Sequence, residues 1–227
     1  HKPDRRQRQM CIRDRLGAIR DNNTAGNGTI SVTKTGTNTV TLLGKANTYT
    51  GNTTVNEGLL NINGVTSSNI NVASGANLGG EGVTNNNIVF NGPTHTIVVD
   101  GTTPGALGTV GTGQFDLTAV TDVTIDLQNK GGPGAFNVIT YSATRNEGFN
   151  DTSKFTVINA PEPSSRGAGA GLAFTSTAIT FDAGYQAKTW AGSDGTNPTF
   201  WDVSTTENWS GGTDNFFVDR DSVTFDD

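Results

Sequence analysis

Over residues 26–63 apolar side chains alternate with Thr or Asn in short runs, and each run stops at a Gly or an Asn. A period of two, punctuated by turn residues, is the pattern of half-buried β-strands. It predicts strands at 30–32, 40–42, 53–55, 60–62, 70–72 and 88–90. Farther on, strands are predicted at 96–99, 123–127, 136–141, 155–158 and 179–181, separated by Gly- and Pro-rich breaks at 101–113, 131–134 and 161–171. No stretch sustains apolar residues at i, i+3 and i+4, so helix should be scarce. Leu42 is followed by Leu60 or Ile62, and Ile70 by Ile88, so the strands recur at about eighteen to twenty residues. That is solenoid spacing: each coil touches only its neighbours and the apolar residues stack inside. Ile30 or Val32, Leu42, Leu60 or Ile62, and Ile70 or Val72 are therefore expected in one inward column. Asn-Ile pairs recur at 61–62, 69–70 and 87–88. Asn tolerates left-handed backbone and bonds locally, and stacked Asn side chains bond one another along such an axis.

The same block carries longer words: Thr-Lys-Thr-Gly at 33–36, Ala-Asn-Thr-Tyr-Thr-Gly-Asn-Thr-Thr-Val at 46–55, and Gly-Leu-Leu at 58–60. In order, spacing and residue type they resemble the passenger-associated repeat of bacterial autotransporters. The run Phe-Asn-Val-Ile-Thr-Tyr at 136–141 resembles the segment that follows this repeat. From Thr189 the texture changes, with Trp190, Trp201 and Trp209 close together, and this region resembles the start of a further unit of the same kind. The resemblance implies an all-β chain folded as a right-handed parallel β-helix. The expected organisation is an appended segment at 1–15, a β-solenoid at 16–185 with the repeat at 26–63, and the Trp-rich start of the next, truncated unit at 186–227.

Residues 1–15 read HKPDRRQRQMCIRDR, unlike anything after them, and match a translated sequencing-library adapter. Setting them aside removes the one Cys, the one Met and one of two His. It also changes the charge. The chain has 15 Lys+Arg and 21 Asp+Glu; the segment holds Lys2, Arg5, Arg6, Arg8, Arg13 and Arg15 against Asp4 and Asp14, leaving 9 basic and 19 acidic residues, a net of −10. An acidic body lacks the clustered Lys and Arg that nucleic acid requires. Thr, Gly and Asn number 36, 30 and 24, and the uncharged Thr and Asn suit a pleated surface. No signal peptide, lipidation motif or membrane span is visible; the chain reads as truncated at both ends, and a leader and anchor are expected outside it.

Little in the remainder looks reactive. His95 is the one His of the body, and a Ser-His-Asp arrangement would have to be assembled around it by the fold alone. Asp100, Asp116, Asp122, Asp126, Lys130, Arg145 and Lys154 are the groups a lyase-like or hydrolase-like β-helix would need on one face, yet they fall singly, without pairing at coil spacing. Asp194, Asp202, Asp214, Asp219, Asp221, Asp226 and Asp227 enrich the C-terminal part but follow neither the EF-hand nor the RTX spacing. No zinc spacing, Walker loop or dinucleotide fingerprint occurs. The expectation is no catalytic, metal-binding or cofactor-binding residue, and no cofactor. Trp190, Trp201 and Trp209 are the best candidates for glycan contact, and otherwise fill or cap a solenoid end.

The leading reading is a non-enzymatic, surface-exposed, adhesin-like stalk, exported through an outer-membrane translocator, with coil-by-coil folding aiding its export and a host-surface or glycan ligand as partner. The alternative is a carbohydrate-binding or polysaccharide-lyase-like β-helix. Acidic and basic groups clustered on one face of adjacent coils would favour the alternative.

Overall fold

The computed structural model describes residues 18–21, 28–44, 46–99, 106–128, 134–142, 146–148, 151–160, 171–196, 199, 207–211, 217 and 221–225. The segment 1–15, residues 161–170 of the break at 161–171, and Trp201 lie outside them.

Alternating Thr, Val, Ile and Leu form three short strands per coil, each ended by a corner. The first coil holds β1 (Val32–Lys34), β2 (Thr39–Leu42) and β3 (Ala46–Asn47), and the second holds β4 (Thr53–Val55), β5 (Leu59–Ile62) and β6 (Val65–Thr66). The third follows with β7 (Ile70–Val72), β8 (Asn77–Gly79) and β9 (Val83–Thr84), and the fourth with β10 (Ile88–Phe90), β11 (Thr94–Val98) and β12 (Leu107–Thr109). In the fifth are β13 (Phe115–Asp116), β14 (Asp122–Asp126) and β15 (Phe136–Thr140); β16 (Asn146–Glu147) and β17 (Phe155–Ile158) open a sixth. Strands of the same rank pair in parallel, giving the orders β1-β4-β7-β10-β13-β16, β2-β5-β8-β11-β14-β17 and β3-β6-β9-β12-β15. The chain is thus all-β and its body a parallel β-helix.

The core is built from inward columns. Val40, Leu60, Leu78, Ile97, Ile125 and Val157 follow one another in register along the second sheet. Leu60, Leu78, Ile97 and Ile125 are fully buried. In the first sheet Thr53, Ile70, Ile88 and Phe115 make one column, and Val55, Val72 and Phe90 another. The single column expected from the sequence is therefore corrected: Leu42 pairs with Ile62 in the second sheet, whereas Ile70 and Val72 stack in the first. Ile30 does not stack, being exposed outside β1. The stretch 101–113, read as a break, contains β12. The third-rank strands β3, β6 and β9, of two residues each, are too short to show alternation, which hid most of that side of the helix from the sequence.

The third sheet ends differently. β18 (Gly171–Phe174) and β19 (Ala178–Asp182) form an antiparallel hairpin, and β19 pairs antiparallel with β15 across a register shift between Asn137 and Ile139. Phe174 meets Phe155 at 5.0 Å between ring centroids and Phe181 meets Phe136 at 5.9 Å. The hairpin takes the place that a further parallel strand would take. Beyond it, β20 (Ala187–Trp190), β21 (Trp209–Ser210) and β22 (Ser222–Thr224) form a three-stranded sheet, β20 running parallel to β22 and antiparallel to β21.

Candidate functional site

The residues that made 33–60 distinctive are the ones that join its coils. Lys34 faces inward on β1, opposite Val55, and is 5% exposed. Its Nζ donates to the carbonyls of Thr35 (3.1 Å), Gly36 (2.5 Å) and Glu57 (3.0 Å), the last on the next coil. Gly36 and Gly58 turn the same corner on successive coils, at φ +76° and +67°. A Cβ on Gly58 would lie 2.6 Å from the Gly36 oxygen, so the word Gly-Leu-Leu must begin with Gly. Asn47 is buried; its Oδ1 accepts from the Ile19 amide and its Nδ2 donates to the Gly44 carbonyl.

Tyr49 is fully buried, and its hydroxyl lies 2.5 Å from Thr53 Oγ1. Thr53 Oγ1 lies 2.6 Å from Ser68 Oγ, which donates to the Asn69 carbonyl. This hydroxyl relay carries the Tyr of the first coil into the second, and it satisfies groups that would otherwise be costly to bury. Outside, an amide ladder follows the axis: Asn69 Nδ2 donates to Asn52 Oδ1, the Asn87 amide to Asn69 Oδ1, and the Gln114 amide to Asn87 Oδ1. Two of the three recurring Asn-Ile pairs, at 69–70 and 87–88, belong to it. The pair at 61–62 lies in a different sheet, which sequence spacing alone did not separate.

Asp21 fastens the start of the stack. Its carboxylate accepts from the Ile30 amide (2.7 Å), the Thr50 amide (2.9 Å) and the Thr50 hydroxyl (2.7 Å). These bonds, that from Ile30 foremost, hold its pKa below the ordinary carboxylate value.

Among the described residues, the groups considered for catalysis are held at separate places in the fold. His95 is buried, its Nδ1 is 3.0 Å from the Ala76 carbonyl, and its ring sits edge-on to Phe90 at 5.0 Å. Its Nε2 is enclosed without a hydrogen-bond partner. Asp122 accepts from Thr121, and Asp126 accepts from the Gln128 amide and Asn159 Nδ2. Asp100, Lys130 and Arg145 lie outside the described residues.

One mixed-charge corner does form between the fifth and sixth coils. Lys154 Nζ donates to the carbonyls of Leu117 (3.1 Å) and Val120 (3.4 Å), beside a cleft of about 340 Å³ that Thr118, Thr121 and Asp151 also line. Burial lowers the Lys154 pKa, against the opposing pull of Asp151 and Asp116. Asp151 is held low chiefly by the Ser153 hydroxyl and amide, as suits a carboxylate capping a 3₁₀ turn. Asp116 is occupied by the Thr118 amide and hydroxyl. The lysine is spent on backbone carbonyls and the carboxylates on local turns, so the corner resembles the Lys34 corner more than an acid–base pair.

In the C-terminal region Asp194 accepts from the Thr196 and Glu207 amides, and Asp221 from the Gln186 amide. Asp202, Asp214, Asp219, Asp226 and Asp227 lie outside the described residues. Among the described residues no group of three or more His, Cys, Asp or Glu gathers to hold a metal. Trp209 is fully buried, with Trp190 edge-on at 5.1 Å, Phe217 at 5.3 Å and Phe225 at 6.0 Å. Trp209 is thus the centre of an aromatic core, while Trp190 is partly covered. The sequence reading missed the inward Lys34 and the Tyr49 relay. A signal for the lysine existed: Val32 and Lys34 share one face of a strand.

Residues 32–62 match the model of the family described as Passenger-associated-transport-repeat. No curated protein and no solved structure matches the chain.

Proposed function

From a chain whose residues 32–62 are a passenger-associated transport repeat set in the first two coils of a parallel β-helix, we propose that this protein belongs to the stalk of an autotransporter passenger, displayed on the outside of the cell and adhesin-like in the whole protein. The observation that carries the reading is the use made of the repeat's own residues. Lys34, Gly36, Asn47, Tyr49, Thr53 and Gly58 all join one strand or coil to another. Such a repeat acts by assembly. Each coil docks on the one before it without long-range closure, so folding can advance as the chain emerges from an outer-membrane translocator. A body without Cys passes through an oxidising periplasm with no disulfide to lock a loop early. The reading is non-enzymatic, with a host-surface or glycan ligand for the complete passenger.

A glycan-binding β-helix is the second reading. A cleft of about 540 Å³ favours it, lined by Val110, Asn137, Thr140, Ser142 and Thr177 among others, with hydroxyl and amide groups and, among the described residues, no carboxylate or ammonium. Its ligand would be neutral.

Export tests the main reading. Residues 16–227 are placed between a secretory leader and an autotransporter barrel in a Gram-negative host, with and without 32–62, and surface display is read by protease accessibility on intact cells. The stalk reading expects display of the intact segment and a several-fold loss without the repeat. Equal display of both forms would count against it.

A further inference from the structure

Short strands of alternating Thr and Val have a register problem. A slip of one residue turns every apolar side chain outward and is opposed by the whole core. A slip of two leaves inward residues inward, so alternation hardly resists it. β1 (Val-Thr-Lys) and β4 (Thr-Thr-Val) are three residues each, and Asn52 and Asn56 continue the outward row of β4 to either side. Little in their apolar pattern separates the native pairing of Thr33 with Thr54 from pairing with Asn52 or Asn56.

Lys34 breaks that near-equivalence. Its Nζ takes two carbonyls from its own corner, Thr35 and Gly36, and one from the facing coil, Glu57. The first two travel with β1 and the third with β4. A two-residue slip moves β4 by about 6.6 Å along its axis. The Glu57 carbonyl then leaves the reach of the ammonium, and a buried cation loses an acceptor. We propose that Lys34 is a register pin: it selects the pairing of the first coil with the second, and so sets the frame on which later coils stack.

The same device recurs where the chain starts pairing strands anew. Lys188 is 1% exposed, stands opposite Val223 as Lys34 stands opposite Val55, and donates to the Gly211 carbonyl at 2.7 Å. Lys154, on the sixth coil, reaches back to two carbonyls of the fifth. In each case one ammonium bonds the backbone of a neighbouring segment.

The inference rests on the repeat being an assembly element, and it is tested by refolding in vitro. Failure of the pin leaves export possible, whereas loss of repeat-dependent export fails the stalk reading itself. The full chain, with Cys11→Ser, carries Thr33→Cys together with Asn52→Cys, Thr54→Cys or Asn56→Cys, all on the outer face. Each form is refolded from urea in a thiol–disulfide buffer, with Lys34 intact or as Lys34→Met. With Lys34 intact, the 33–54 crosslink should dominate. With Lys34→Met, the 33–52 and 33–56 crosslinks should rise by about tenfold, the population change expected from losing one hydrogen bond to a charged group. Slipped crosslinks that stay at their original level would overturn the proposal. So would loss of all three crosslinks, because Lys34 would then be holding β1 in place without choosing its register.

Discussion

Gly36→Ala and Gly58→Ala separate backbone strain from close approach, because the two glycines share a corner and a backbone conformation but not a neighbourhood. Their φ values are +76° and +67°, so either alanine enters the left-handed region at about 1–2 kcal/mol. A Cβ on Gly36 meets nothing within 4 Å, whereas one on Gly58 falls 2.6 Å from the Gly36 oxygen and 2.8 Å from the Asn38 oxygen. Both obstacles are backbone, and neither can swing away like a side chain. Relief must push the first coil away from the second, adding about 1–3 kcal/mol, the range for forcing atoms into a packed interior. It also moves the Gly36 carbonyl that Lys34 uses. Gly36→Ala should therefore cost about 1–2 kcal/mol and Gly58→Ala about 2–5 kcal/mol. Urea unfolding followed by circular dichroism gives the totals. Solenoids open segment by segment, so exchange of the Asn77 amide, which donates to the Gly58 carbonyl at 2.8 Å, gives the local cost. Equal destabilisation by the two substitutions would refute the close-approach reasoning.

Trp209→Ala should destabilise the β20–β22 sheet by about 3–5 kcal/mol, seen as an early tryptophan-emission transition; unchanged emission melting with loss of a glycan-array signal would instead favour the carbohydrate reading. Ile62→Asp should unfold the first coils at a cost of several kcal/mol, because a fully enclosed column receives an unpaired charge; near-native exchange protection around Leu42 and Leu60 would contradict this. Asp21 has a depressed folded pKa, so its contribution is complete above the unfolded value near 3.8 and is lost as pH falls through the lower folded value. Amide NMR should show Ile30 and Thr50 loosening in that acid window, and Asp21→Asn should loosen them already at neutral pH; an Asp21→Asn spectrum identical to the parent would remove the carboxylate from its role. Deleting residues 1–15 should leave the melting temperature within a degree or two, since six cations and few apolar groups cannot offset the entropy of ordering them; a larger drop would mean the segment packs on the body.

Legibility from sequence followed strand length. Thr53–Val55, Ile70–Val72, Ile88–Phe90 and Phe155–Ile158 were read to the residue, because apolar or β-branched side chains at alternate positions of a short run between turn residues leave few options. Ala46–Asn47, Val65–Thr66 and Val83–Thr84 were invisible: two residues carry no period, and the inward member is Asn or Thr instead of an aliphatic. Asn47, Thr66, Thr84 and Thr109 stack along the third sheet as a polar inward column that hydropathy reads as surface. The hairpin β18–β19 was half legible, since 179–181 alternates while its pairing with β15 is non-local. The repeat's words were recognisable, but what Lys34 does depends on a carbonyl 23 residues away, and the relay from Tyr49 to Thr53, four residues on, continues to Ser68, a further 15 residues away.

The central claim is that the repeat forms the first two levels of an in-register stack, and a distance across that stack tests it most directly. Thr33, Thr54, Asn71, Val89 and Asp116 occupy one outward row on five successive levels. With strands about 4.8 Å apart, spin labels at Thr33 and Asp116 should have attachment points about 19 Å apart. Pulsed electron–electron resonance on the Cys11→Ser chain should give one narrow distribution near that value, broadened by label length. A distribution centred beyond about 35 Å, or one without a peak, would mean that residues 33 and 116 are not on one ladder, and the stacked-coil account would fall.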